Sequence, residues 1–594
     1  MPMLRIESFG GMVPLQDPRL LQGYHAAFST NAYVGSGSIR PISAIVPVHT
    51  MADPTNKSFF RVPKVKVGID NIIDSYWLEF PLENTWVVRN PTPELTDGGR
   101  FYWADGTNPP MMTTYARVTN EVGGVLTPLP PLLLGIPTPE TAPGLTVTGG
   151  VAPVGTRAYA YTWMSASGEE GPPSPPTVLS DNANGTWHVT LTAPLPADTT
   201  DRTLTTTRIY RTVTSSQGVA QFFFVAEIPI ATLTFDDTIP DDAVALNDQL
   251  QSINWTGPPL GLNGMVNMAN GMIAGFRDNE IWFCEPYRPH AWPPQYVLGV
   301  EGKIIGLGVQ QQTLVVLTSG WTYAITGVNP SAMAITKVST LEPCTSMGSI
   351  VSAPEGVIYT SVNGLMIVNS GVSINSTANM VRKDQWSALL YLPNLHASYI
   401  NRSYVAFSSP NEGVFQTDAF QVPTSATDPL GAFQTFDFSG THDGAAISIS
   451  DERAAYMQLH SDIPVDNVIQ DVWTAETFFL RGGVVDHIDL RKAAPRLSNY
   501  LWRSKIYQTP YKENWAAAKV FFGPAPGAVP ADTPTYFRFY ADGRMIFQRP
   551  ITVSGEQFRL PSGYKSDFIQ WELEGQLEIF NVQIATSARE LRNA

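Results

Sequence analysis

Cysteine is nearly absent. Cys284 and Cys344 are the only two in 594 residues, too few for a disulfide framework or a cysteine-built zinc site. Charge is scarce as well, at 15% of residues where about a quarter is usual. Lysine disappears altogether from residues 144–250, which hold 4 Arg against 11 Asp and Glu. No apolar run approaches the roughly 18 residues of a membrane-spanning helix, and Met1-Pro2-Met3-Leu4-Arg5-Ile6-Glu7 lacks the charged-then-apolar order of a secretory signal. The expectation is a chain made in a cytoplasm, without a membrane span. The G-x-S-x-G elbow of hydrolases, the His-Glu-x-x-His zinc motif and the phosphate loop are all missing; Gly302-Lys303 is followed by Ile304.

Turn formers and strand formers are plentiful. Gly 47, Pro 49 and 11% aromatic residues describe short strands joined by tight turns, hence an all-β fold. At this length the chain is expected to divide into several domains. Net charge is −15, which argues against a protein that grips nucleic acid through its phosphates. The charge is also uneven: residues 481–594 carry 15 Lys and Arg against 11 Asp and Glu, and residues 1–480 carry 22 against 41. Different partners or solvent meet different fields at the two ends.

From about residue 270 hairpin signals recur. Met272–Phe276 and Ile281–Cys284 flank Arg277-Asp278-Asn279-Glu280; Thr313–Leu317 and Trp321–Ile325 flank Ser319-Gly320; Gly356–Tyr359 and Leu365–Val368 flank Asn363-Gly364. Weaker copies end at Pro410-Asn411-Glu412-Gly413 and Asp451-Glu452. Turn centres at 278, 319, 363, 411 and 451 are 41, 44, 48 and 40 residues apart, the length of a four-stranded propeller blade. Unrelated hairpins of a β-sandwich would give the same local signals without a reason for the spacing.

The spacing and composition divide the chain into an N-terminal β region that belongs to the propeller (1–140), an inserted domain (141–250), propeller blades (251–490) and a C-terminal β region (491–594). The breaker-dense stretch Pro128–Pro143 is expected to be a stiff linker. Strands about every ten residues over 144–250 predict an immunoglobulin or fibronectin III-like sandwich, with Tyr159, Tyr161 and Trp163 on one face. The last strands, Phe568–Leu573 and Leu577–Val582, either complete the ring or form a separate sandwich or platform.

Several clusters invite a chemical reading. Asp236-Asp237 and Asp241-Asp242 offer oxygen ligands for Ca²⁺ but lack the bidentate Glu and turn Gly of a calcium loop, so a solvated acidic turn is expected. Glu572, Glu574 and Glu578 suggest a glycosidase pair, yet Glu572 and Glu574 alternate with Trp571 and Leu573 as the wet face of a strand does. Glu285–Pro294 combines Tyr287, His290 and Trp292 with four prolines. It reads as a sugar-stacking or docking loop, or, preferred here, as a rigid blade-to-blade crossover with Trp292 plugging the core. His442-Asp443 and the other histidines are scattered singly and read as structural. Thr148-Gly149-Gly150 and Arg481-Gly482-Gly483 have the freedom of a gate and equally of ordinary turns. No catalytic, metal-binding or cofactor-binding residue is assigned, and no cofactor is expected.

Gly168-Glu169-Glu170-Gly171-Pro172-Pro173-Ser174, Pro258-Pro259-x-Gly261-Leu262, Gly275-Phe276 and Glu285-Pro286-Tyr287-x-Pro289-His290-Ala291-Trp292-Pro293, with the opening Leu4–Pro14, together resemble the tail nozzle (tail tubular protein B-like) proteins of short-tailed bacteriophages. The match lies mainly over residues 150–300 and at the N-terminus. The resemblance implies a virion structural protein and not an enzyme: a β-propeller with an immunoglobulin-like insertion, assembled as a homohexameric ring. The ring would hang below the tail adaptor, adjoin fibres or spikes, and let double-stranded DNA pass without specific binding. Rival expectations are a portal-plugging hub and a glycan-binding or polysaccharide-degrading tail protein. The Ser-x-Asp-x-Gly-x-Thr-Trp repeat of sialidase blades does not occur.

Overall fold

The computed structural model describes residues 3–592 apart from 35–36, 43–45, 67–68, 92–98, 124, 152, 215–219, 339, 390–391, 401–402, 409–442, 449–455, 461–464, 489–498 and 524–532. Strand makes up 51% and helix 8%, so the composition-based expectation of an all-β chain holds. The chain forms two compact units: residues 84–318 with 323–337, and residues 1–83 with 319–322 and 338–594.

In the first unit three sheets each hold four antiparallel strands in chain order. They comprise Trp86–Arg89, Arg100–Ala104, Met111–Thr114 and Leu132–Leu133; Asn263–Asn267, Ile273–Arg277, Glu280–Phe283 and Leu298–Gly299; and Ile304–Gln310, Thr313–Thr318, Tyr323–Thr326 and Ala334–Lys337. Inner strands such as Leu314–Leu317 are buried on both faces, which is why they read as unbroken apolar runs, whereas Ala334–Lys337 is exposed throughout. The turn at 278 is possible because Asp278 accepts a left-handed φ of 54°.

Residues 144–237 of the same unit add a three-stranded sheet (Gly144–Thr148, Thr186–Thr190, Thr234–Asp237) and a four-stranded one (Thr177–Asn182, Val154–Ser165, Leu204–Thr214, Ala220–Pro229). Tyr159, Tyr161 and Trp163 point together into the core that both sheets share with Trp187, Val189 and Ile209, as their alternation predicts. The stretch 128–143 is not a free linker: Leu132–Leu133 is a sheet strand, and Leu134 and Ile136 are buried. Apolar residues alternating with the prolines outweigh the breakers.

The second unit has two more four-stranded antiparallel sheets and a larger sheet of ten strands. Val351–Ala353, Gly356–Ser361, Gly364–Asn369 and Val372–Asn375 form one. Leu395–Ile400, Ser403–Ser408, Asp443–Ser448 and Tyr456–His460 lie side by side at one end of the ten-stranded sheet, where Tyr456–His460 also pairs in parallel with Ala26–Thr30. In the last, Asn467–Gln470, Thr477–Arg481 and Val484–Ile488 are completed by Val46–Thr50 from near the N-terminus. The turn centre at 411 and the turn at 451 lie outside the described residues. Their flanking strands correct the repeat count, because 403–408 and 443–448 are neighbours within one sheet rather than members of successive units. A long connection between its second and third strands mimics a repeat interval. Gly482 and Gly483, with φ of 55° and 78°, form the tight turn of the last sheet's hairpin.

The closing strands of the chain enter one further sheet and the ten-stranded sheet. Met3–Ile6 pairs with Glu578–Ala585, itself beside Ala517–Gly523. Ser566–Gly575 lies between Tyr500–Ser504 and Thr535–Ala541, with Ala26–Thr30 beyond and Arg544–Ile551 at the far side. Phe9, Trp502, Phe537 and Trp571 fill the core there, with Phe9 edge-on to Trp502 at 5.3 Å.

Candidate functional site

The motifs that are far apart in sequence meet in space. The turn Ser165–Gly168, closed by Gly168 N–H donating to the Ser165 carbonyl at 3.0 Å, needs the positive φ of Gly168 (76°) and delivers Glu169 to a buried position. Arg100, on the second strand of the first sheet, donates to Glu169 Oε1 at 2.9 Å. His290 Nδ1 stands 4.0 Å from the same oxygen. Burial raises the Glu169 carboxyl's pKa against the opposing pull of Arg100. Burial first, and the Arg288 charge second, push the His290 imidazole down to about 4. Its Nε2 is buried without a hydrogen-bond partner among the described residues. Trp255 meets the ring edge-on at 6.1 Å and carries Arg288 above it at 4.3 Å.

Close backbone approach explains the glycines. A Cβ on Gly171 would stand 2.5 Å from Ile136 Cγ2, and one on Gly135 2.7 Å from Gly257 Cα. Glu170, next to Glu169, turns the other way and accepts from Tyr210 at 2.6 Å and Thr162 at 2.8 Å. One motif therefore braces the two-sheet region internally through Glu170 and fastens it to its neighbouring sheet through Glu169.

Trp292 is fully buried among Val88, Tyr102, Met265 and Ile273, and its Nε1–H donates to the Pro289 carbonyl at 2.8 Å. It plugs the core as preferred above, and a sugar cannot stack on it. The crossover itself joins the third and fourth strands of a single sheet, not two sheets, because the short strand Leu298–Gly299 is invisible as a periodic signal. Tyr287 caps the turn at φ 60° with its N–H donating to the Gly271 carbonyl at 2.7 Å.

In the acidic stretch 236–242, Asp236, Asp241 and Asp242 are exposed as in a solvated turn, and Asp237 departs from it. Asp237 is fully buried, accepting from Tyr159 Oη at 2.6 Å and lying 3.1 Å from Arg211 Nε. Asp241 accepts from both Arg157 and Arg211 at 2.7 Å. Asp236 is hydrogen-bonded to His188 at 2.6 Å, and Asp242 accepts from the Ala243 N–H at 3.0 Å. The arginines lie up to 84 residues away in sequence, and nothing local to the acids announces them.

Glu572 likewise departs from the wet-face reading. It is 1% exposed, clamped by Arg503 at 2.6 Å and Arg538 at 2.6 Å. Arg538 also pairs with Glu574, and Glu578 accepts from Ser38 Oγ at 2.7 Å. His442 lies outside the described residues. Among the described residues no three His, Cys, Asp or Glu are grouped to hold a metal ion.

No family model and no curated protein matches the chain. Among solved structures, the chain is similar to the crystal structure of BBS1N in complex with ARL6DN, soaked with mercury, at 10% identity over 47% of this chain and 86% of that one, with a TM-score of 0.23. It is also similar to the crystal structure of the N-terminal domain of Nup159, at 11% identity, 47% and 86% coverage and a TM-score of 0.20. Likeness at this level supports no reading of this chain.

Proposed function

We propose that this chain is a structural subunit of a short bacteriophage tail, a nozzle ring through which genome DNA leaves the particle. In this reading the four-stranded meanders are blades of a β-propeller and residues 144–237 are an immunoglobulin-like insertion. The observation that carries it is the meeting of Glu169 and His290 at Arg100, because these two residues come from two of the motifs on which the resemblance rests. The last meander borrows Val46–Thr50 from near the N-terminus, the kind of closure that a ring of blades uses to avoid an open edge.

The proposed mechanism is mechanical. A wall past which DNA moves has to avoid holding phosphates, and an acidic surface repels them over roughly 8–10 Å at cellular salt. The ring is proposed to sit in the virion tail as a homohexamer on the tail adaptor and to adjoin fibres or spikes. Light scattering of the purified chain, alone and with the adaptor, followed by negative-stain imaging, tests the reading. A closed ring in either condition supports it; a chain that stays single in both overturns it.

A further inference from the structure

Between the third strand of the first sheet and its short fourth strand the chain runs out into a flap, residues 121–123 and 125–131. Glu121–Val122 and Val125–Leu126 pair as a two-stranded hairpin. The base is tied down: Asn120 Nδ2 donates to the Thr127 carbonyl at 2.8 Å, the Thr127 N–H donates to the Asn120 carbonyl at 2.7 Å, the Leu129 N–H to the Arg117 carbonyl at 2.9 Å, and Arg117 Nε to the Pro130 carbonyl at 3.1 Å. The flap is thus held in shape while its apolar side chains face solvent. Val122 is 64% exposed, Val125 66%, Leu126 44% and Leu129 43%.

We infer that this flap is the surface by which one copy of the chain packs against the next, an inference that rests on the ring reading above. Three arguments select a second copy. The four side chains expose on the order of 400 Å², about half of what each partner gives to an interface of standard size. A contact of that size is weak between two free molecules, but it suffices in a closed ring, where the last contacts form within an assembly already held together. The chain carries a net charge of −15, so like copies repel except where their surfaces are uncharged. Over 121–131 the only charged residue is Glu121, and the nearby Arg117 is turned inward to the flap's own backbone.

The test compares the wild-type chain with the double variant Val122→Asp/Val125→Asp, alone and on the adaptor, by light scattering, with thermal unfolding as a check on folding. Both positions are exposed, so the variant is expected to keep its melting temperature while its mass falls from that of the ring to that of one copy. A variant that assembles as the wild type does overturns the inference and leaves the ring reading standing; a wild type that never assembles overturns both. A second arm labels Val125→Cys with a benzophenone maleimide, which is selective because Cys284 and Cys344 are buried. Photo-crosslinks joining two copies, identified by mass spectrometry, support the inference, and crosslinks confined to one chain overturn it.

Discussion

At the scale of single residues, His290 shows how a side chain with an ordinary solution chemistry is recruited for shape. Its imidazole is shielded from water, stands 4.0 Å from Glu169 and feels the charges of Arg288, Arg100 and Glu170, with burial as the largest influence on its charge. The folded chain holds it neutral down to about pH 4, whereas an unfolded histidine takes up its proton near 6.5. The stability this contributes is present in full above about pH 6.5 and is lost as pH falls toward 4, because over that window the unfolded state binds the extra proton. The raised Glu169 has the opposite sign: its contribution is present below the ordinary glutamate range and is lost as pH rises through the raised value. A comparison with His290→Gln separates the two. The wild type should lose up to about 3 kcal/mol more than this variant between pH 7 and pH 4, read from thermal unfolding followed by circular dichroism. Parallel pH profiles would show that the imidazole is not the group responsible.

At the scale of elements, what the sequence made legible was set by how local each signal is. The hairpins at 278, 319 and 363 were readable because strand, turn and strand lie within a dozen residues, and the alternation of Tyr159, Tyr161 and Trp163 reports its buried face directly. The strand Leu298–Gly299 and the borrowed strand Val46–Thr50 were not readable, since one is too short for a period and the other finds its partner more than 430 residues away. The same limit hid the pairing of Glu572. Along its own strand it alternates with Trp571 and Leu573 like a solvent-facing residue, and only the register that sets Arg503 and Arg538 opposite it on neighbouring strands explains its burial. That cross-strand row gives a firm expectation. Glu572→Ala leaves two guanidinium groups facing each other with less compensation and should cost about 3–5 kcal/mol, while Glu572→Gln, which keeps an acceptor, should cost less. Chemical denaturation of both variants measures this, and a loss below about 1 kcal/mol for the alanine would mean that the row contributes no more than a surface ion pair does.

At the scale of the whole molecule, the chain weaves its two compact units together in sequence while each keeps its own core. Residues 84–318 and 323–337 form one unit, and the other takes both its first and its last strands from opposite ends of the polypeptide. Met3–Ile6 lies antiparallel to Val582–Ala585, with Ile6 and Val582 both buried. Without that strand, Glu578–Ala585 would gain an open edge and lose the apolar cover that Ile6 supplies. Deleting residues 1–7 should therefore lower the melting temperature of the unit that contains the terminal strands, by roughly 2–4 °C for each kcal/mol lost, and leave the unit of residues 84–318 and 323–337 where it was. Scanning calorimetry distinguishes the outcomes. Two transitions of which only one moves mean that the units unfold separately; a single transition that moves as a whole means that the chain's four crossings between them have made one cooperative body of the two, and the damage at its ends would then be felt at the junction of Arg100, Glu169 and His290 as well.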